Sequence, residues 1–412
     1  MCLALIFARG LNPVRDLILV EISVSPSPTS APQGAQRYRK PLQATNIKSL
    51  TGFFAIQRRK DTKHIYLASL RKPIRYLFFY NLAILLFFFG SFFYKIQAQN
   101  EPQRYEFEHP QMGTTFRFVV YAQDDSTVIK AFLSAKKEID RLNQMMSDYL
   151  PESELNLLSR SSGTDTWIKV SDDLWEIMAL SKKIAKKSKG DFDPTIGPLS
   201  RLWRRAIRRQ EVPDPAKINE ALSQVGYRLI KMNTSRKEIL LKEKNMKLDL
   251  GGIAKGYAVD AAFEVFQHFG LKTVLVDGGG DLRLGDPPKG QKGWKVEVSG
   301  LDNEGKTYEK RVELSNCAIA TSGAKYKYVE ANGQKYSHII DPKTGMGIIE
   351  RRLVTVIAPT CTLADALASL VSVSGFEKGE KTARKIMGKQ EFSISLAKPE
   401  NQEFNTYYYH HQ

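Results

Sequence analysis

The sequence predicts an α+β protein with mixed sheets and flanking helices. Stretches of strand-like sequence and stretches with apolar residues at three- and four-residue steps fall in separate runs, without the regular alternation of a parallel βα protein. Helix caps and glycine turns punctuate those runs. A composition of 42% hydrophobic and 25% charged residues is ordinary for a folded chain and excludes wholesale disorder. A length of 412 residues suits two or three domains, or one large domain with extra segments.

The first hundred residues stand apart. Of the net charge of +17, residues 1–99 carry +11, from 14 Lys/Arg and 3 Asp/Glu. The basic excess therefore sits mostly in front of the foldable region, which argues against a nucleic-acid-binding domain. Residues 1–70, with a Ser-, Pro-, Gln- and Arg-rich stretch from Pro26 to Pro41, read as a disordered basic leader. The next Met after Met1 is Met112, so a shorter product lacking this leader would need a non-AUG start. From Tyr76 to Tyr94 runs YLFFYNLAILLFFFGSFFY, uncharged and about long enough to cross a bilayer as a helix. Arg71, Lys72 and Arg75 precede it, which by the positive-inside rule leaves the chain after Lys95 outside the cytoplasm. Ile96-Gln97-Ala98-Gln99 resembles a signal-peptidase site, so 71–98 reads as a signal peptide or a membrane anchor. A buried core helix is the competing reading, and three consecutive Phe beside Leu-Leu suit lipid better.

Residues 99–412 read as the exported, folded domain. Strands are expected at Arg104–Phe107 and Thr114–Tyr121, followed by a helix with apolar Val128, Ile129, Phe132, Leu133, Ile139, Leu142 and Met146 at three- and four-residue steps. A second helix starts at Ser171 with Asp172 and Asp173 in its first turn. A third has Asp214 as cap and Pro215 at its first position. Strands follow at Tyr227–Met232, Glu238–Lys242, Lys247–Leu250, Thr273–Val276, Trp294–Val298 and Ala318–Thr321. Asn332-Gly333 marks a hairpin turn, and a helix is expected from about Thr362 to Val373.

Several stretches could carry chemistry. In DLGGIAKGYAVD, 249–260, a glycine turn precedes a helix, which can be an anion site or a plain strand-to-helix turn with Lys255 on the surface. Tyr257 stands where a Walker loop needs Lys, so that motif is absent. The Asp277-Gly-Gly-Gly-Asp281 turn, read alone, is a tight strand connection. Asp365 and Ser369 share a helix face at i and i+4, an oxygen pair suited to Mg²⁺, although a hydrogen-bonded buried Asp would look the same. His338, at the end of a strand, is a candidate general base or a structural histidine. The three cysteines form no CxxC pair and no HExxH spacing occurs, so zinc is not supported. Arg201, Arg204, Arg205, Arg208 and Arg209 make a basic helix-like stretch, read as a solvated face or as a contact for anionic lipid.

Taken in series, eight motifs resemble the ApbE family, the FAD:protein FMN transferases. They are MGTTF at 112–116, MSDYLPESEL at 146–155, FDPTIGPL at 192–199, DLGGIAKGYAVD at 249–260, GGGD at 278–281, ATSG at 320–323, SHIIDPKTG at 337–345 and ADALAS at 364–369. The resemblance implies an α+β fold with a deep FAD cleft and Mg²⁺ at the pyrophosphate. It implies that Met112 and Tyr149 line the flavin site, that Asp193 and Asp249 contact FAD, and that Lys255 faces it. It gives the metal the Gly252 carbonyl, Asp365 and Ser369, where many members have Thr in place of Ser369. It makes His338 the catalytic base and Ile339 a cofactor contact. The implied partners are FAD and a target flavoprotein with an acceptor Thr or Ser hydroxyl, with AMP as leaving group. A FAD pyrophosphatase giving FMN and AMP, and a non-catalytic exported flavin-binding protein, are the alternatives. No Cys follows the apolar run to carry a lipid, so the 76–94 segment is expected to anchor the protein at the periplasmic side of the inner membrane or to be cleaved.

Overall fold

The computed structural model describes residues 80–87, 101–301, 306–323, 328–331, 333–349, 352–400 and 403–411. The predicted leader, 1–70, lies outside these residues, and of the predicted span 76–94 only 80–87 falls within them, as a short helix α1. Among the described residues no helix is long and apolar enough to cross a membrane.

Eight strands form one antiparallel sheet. β1 (Gln103–Gln111) and β2 (Thr114–Ala122) make a hairpin, and β2 continues the sheet to β6 (Val274–Gly278) and β7 (Leu282–Leu284). Next come β10 (Cys317–Gly323), β13 (Leu353–Ala358), β14 (Phe392–Glu400) and β15 (Glu403–His411). Inward residues alternate along β2, where Phe116, Phe118 and Val120 are fully buried, as a half-buried strand requires. They meet α2 (Asp125–Met146), α7 (Ala254–His268) and α8 (Cys361–Ser374), whose Ile139, Leu142, Val259, Phe266, Leu367 and Leu370 complete the main core. The opposite face is partly covered by the ribbon β8 (Trp294–Leu301)–β9 (Thr307–Leu314), through Trp294 and Val296 against Leu284 and Ile319.

Smaller pieces fill the rest. α3 (Glu154–Arg160), α4 (Asp172–Ser188), α5 (Gly197–Arg209) and α6 (Pro215–Ser223) lie between β2 and β6 in sequence. With them is a three-stranded sheet of β3 (Ile168–Lys169), β4 (Ile230–Asn233) and β5 (Glu238–Leu241). A hairpin of β11 (Tyr328–Ala331) and β12 (Gln334–Ser337) rests on α5, and α9 (Phe376–Met387) follows α8. The caps expected at Ser171 and Asp214 are present, accepting first-turn amides of α4 and α6, and Asp124 does the same for α2.

Two sequence expectations need correction. Lys247–Leu250 is not a strand; it makes one isolated bridge to Ile196. Its alternation of apolar residues reflects burial of Met246, Leu248 and Leu250 in the core, without a neighbouring strand to pair with. Tyr227–Leu229 is a single 3₁₀ turn, and the strand begins only at Ile230. Asn332 of the expected hairpin turn lies outside the described residues, while Gly333 has φ of +73°, the left-handed conformation that turn needs.

Candidate active site

The glycine turn before α7 is built by its own aspartate. Asp249 donates its amide to the Pro194 carbonyl at 2.9 Å, and its Oδ1 accepts the Gly251 amide at 2.8 Å. The chain can then enter α7 at Ala254 with no side chain on its own cap. A carboxylate from another helix serves instead: Asp365 Oδ2, on α8, accepts the Gly256 amide at 3.1 Å. The two helices cross closely here, because a Cβ on Gly256 would lie 2.3 Å from the Cys361 carbonyl oxygen. Asp260, one turn on, accepts the Cys361 and Thr362 amides at 2.8 Å each and so caps α8.

This crossing brings Gly252, Asp365 and Ser369 together, although Gly252 and Ser369 are far apart in sequence. A Cβ on Gly252 would lie 2.9 Å from Ser369 Oγ. Asp365 is buried, and among the described residues neither its Oδ1 nor Ser369 Oγ has a hydrogen-bond partner. Lys255 points from the first turn of α7 to Asp281, with which it forms an ion pair. Burial works against the Lys255 ammonium, but the Asp365 and Asp281 carboxylates outweigh it and raise its pKa. Burial, reinforced by Asp365, pushes the Asp281 carboxyl up to about 7 despite Lys255. Burial likewise raises the Asp365 pKa against the pull of Lys255 and the Gly256 amide. Two carboxylates and one ammonium leave this pocket one charge short of neutral when all are ionised, which favours a cation. Its spare donors are hard oxygens, the set that suits Mg²⁺.

Asp281 arrives on the turn between β6 and β7, where Gly279 and Gly280 have φ of +76° and +99°. Gly279 must be glycine, since a Cβ there would sit 2.0 Å from Thr114 Oγ1. The same contact places this turn against the β1–β2 turn, whose Met112 and Gly113 have φ of +51° and +74°.

A second group surrounds Asp249. Arg204, on α5, bonds to Asp148 and, through Nη2, to Asp249 Oδ2 at 2.8 Å. Its guanidinium carbon lies 4.4 Å from the centroid of the exposed Tyr149 ring. Asp193 ties its own loop, whose Pro194 carbonyl accepts the Asp249 amide: its Oδ1 accepts the Thr195 amide and hydroxyl at 2.9 and 2.7 Å, and its Oδ2 the Tyr227 amide at 2.8 Å. Burial raises its pKa against those bonds.

His338 and Ile339 come on a third segment, just past β12, with His338 exposed and Ile339 half-buried. The Ile339 amide donates to Ser337 Oγ at 3.0 Å. This segment is tied to the rest by Trp203 Nε1, which donates to the Gly345 carbonyl at 2.8 Å, and by Lys343, whose Nζ lies 2.5 Å from the buried Asp191 Oδ1. α5 thus carries two ties in adjacent residues, Trp203 to the histidine segment and Arg204 to the glycine turn.

Three residues escaped the sequence reading. Asp281 was visible only as part of a turn, and its burial beside Lys255 is a tertiary fact. Asp148 lies inside MSDYLPESEL with nothing local to mark it. Arg204 was read as one of five arginines on a solvated or lipid-facing helix. Arg201, Arg205, Arg208 and Arg209 are indeed exposed, but Arg204 turns inward to two carboxylates, a correction that spacing alone could not supply.

Comparisons with known proteins bear on the family and the fold. The model of the ApbE family matches residues 112–394. A Vibrio cholerae protein named FAD:protein FMN transferase is 32% identical over 283 residues, covering 66% of this chain and 82% of the relative. One of the same name from Haemophilus influenzae is 29% identical over 298 residues, covering 70% and 86%. Among solved structures, the apo form of Pseudomonas stutzeri flavinyl transferase ApbE superposes with a TM-score of 0.65 at 26% identity, covering 75% of this chain and 95% of that one. The flavin transferase ApbE of Vibrio cholerae gives 0.66 at 24% identity, over 74% and 97%, a likeness of fold. With the motifs in series, an α+β fold that superposes and a family match over most of the described domain, this chain belongs to the ApbE family.

Proposed function

We propose that this protein is an FAD:protein FMN transferase, which moves FMN from FAD to a Thr or Ser hydroxyl of a target flavoprotein and releases AMP. The observation that carries the reading is the convergence of Gly252, Asp365 and Ser369, with two side-chain oxygens unengaged among the described residues, beside the buried Lys255–Asp281 pair. Names of relatives support the same reaction.

In this reading Asp365, Ser369 and the Gly252 carbonyl would hold Mg²⁺. When bound, the ion offsets charge on the pyrophosphate and orients it for in-line attack. Met112 and Tyr149 line the flavin end, Ile339 contacts the cofactor, and Lys255 faces the phosphates. Asp249 contacts FAD with whatever capacity Arg204 and the Gly251 amide leave it, and Asp193 does so from the loop it holds together. The acceptor oxygen attacks the FMN-side phosphorus, the bond to the AMP phosphate breaks, and the acceptor proton passes to an imidazole nitrogen of His338. Exposure of His338 supports that role, since an acceptor protein must reach it from outside. Little covalent chemistry is asked of the chain, as positioning and electrostatics dominate such transfers.

The test is an intact-mass spectrum of a candidate acceptor after incubation with FAD and Mg²⁺. The acceptor should gain the mass of FMN while AMP appears in equal amount. Free FMN with an unmodified acceptor would favour a pyrophosphatase instead. The basic-flanked apolar run at 76–94 further supports placement of residues 99–412 on the periplasmic side of the inner membrane, anchored or released. A reporter active only in the cytoplasm, fused after residue 110, should then be silent, and activity would contradict export.

A further inference from the structure

Arg204 joins three segments that sequence keeps far apart. One guanidinium bonds to Asp148, which follows α2, and to Asp249, which precedes the glycine turn, and covers one face of the Tyr149 ring. Side-chain exposure is 13% for Asp148 and 7% for Asp249, so each carboxylate depends on Arg204 for its counter-charge. Asp249 in turn fixes the Gly251 amide, and therefore the turn that carries Gly252. Tyr149 is different. It is 72% exposed, and among the described residues its ring has no other aromatic or cationic contact and its hydroxyl no hydrogen bond. Its orientation therefore rests on the guanidinium, and most of the residue is exposed to solvent.

We infer that Arg204 is a positioning residue for flavin binding, which backs Tyr149 so that its outer face is a flat platform for the isoalloxazine ring. The inference rests on the flavin-transfer reading and deepens it. A planar, delocalised guanidinium can stack on an aromatic ring and bond two carboxylates at once. A lysine ammonium could neutralise the carboxylates but could not present a plane to Tyr149. The two roles are therefore separable by substitution. A residue that merely holds the fold would be replaced in both roles by any variant that restores stability.

The test compares wild type, Arg204→Lys, Arg204→Met and Tyr149→Leu in FAD titrations followed by flavin fluorescence, with thermal unfolding of each protein. Tyrosine stacked on a flavin quenches its emission, so the bound wild-type complex should be dim. Arg204→Lys should unfold close to wild type, yet bind FAD about tenfold more weakly and leave the bound flavin brighter, as Tyr149→Leu does. Arg204→Met should lose stability as well. If Arg204→Lys binds and quenches like wild type, or if Arg204→Met leaves FAD affinity and emission unchanged, the positioning role is overturned. A wild-type protein that does not bind FAD contradicts the flavin-transfer reading itself, a result distinct from either of these.

Discussion

Asp365 is the residue whose surroundings speak most directly of a cation. It is buried, one oxygen is spent on the Gly256 amide, and the other has no hydrogen-bond partner among the described residues, one helical turn from Ser369. Asp365→Asn nearly keeps the shape and removes the charge. In a flavin-transfer assay the variant should lose at least about tenfold in rate, roughly 1.4 kcal/mol of barrier, with partial recovery in excess Mg²⁺. EDTA should silence the wild type, and Ser369→Thr should be tolerated better than Ser369→Ala. Full activity of Asp365→Asn, or of wild type in EDTA, would remove the metal from the account. His338 makes a contrasting demand. His338→Ala should still bind FAD, since all the groups assigned to that binding except the neighbouring Ile339 lie on other segments, but should lose about 10²–10⁴-fold in transfer, the usual reach of a general base. A variant that transfers at near wild-type rate would show that His338 takes no proton. At this scale the sequence was informative wherever a motif placed polar residues at helical spacing, as with Asp365 and Ser369. It was silent on Asp281 and Arg204, whose partners lie 26 and 45 residues away and are met only through folding.

The elements that matter most are α7 and α8, because their crossing makes the pocket. Gly256 allows it. An alanine there would set its Cβ against the Cys361 carbonyl and 2.9 Å from the Asp365 Cβ, both on the neighbouring helix. The helices would have to separate, at a cost of about 1–3 kcal/mol for overpacking of this kind. Gly256→Ala should lower the denaturant midpoint and weaken the Mg²⁺ dependence of transfer together. A variant as stable as wild type would contradict so close a crossing. The helix α8 was legible from Thr362 to Val373, and it begins at Cys361, where Asp260 supplies a cap that no local pattern could reveal. The segment 247–250 failed as a strand for a related reason. Its apolar alternation is real, but only a partner makes a strand, and one bridge to Ile196 is all it finds.

Across the whole molecule, an α+β class was readable because helical and strand-like runs are segregated along the chain. The order of the large sheet was not, since β2 pairs with β6, β7 with β10 and β10 with β13 through contacts remote in sequence. What the assembled domain adds is a division of labour among segments. The α7–α8 crossing offers oxygens and charge, α5 ties the glycine turn to the histidine segment, and the histidine itself stays exposed where an acceptor can reach it. The central claim is thus that a protein hydroxyl, and not water, attacks the FMN-side phosphorus. Running the reaction with FAD, Mg²⁺ and an acceptor in ¹⁸O-labelled water tests it most directly, by mass spectrometry of the flavinylated acceptor and of the AMP. The account predicts FMN joined to the acceptor with no ¹⁸O in its phosphate and none in the AMP. Label in the phosphate of released FMN, with an unmodified acceptor, would show that water is the nucleophile and would contradict it.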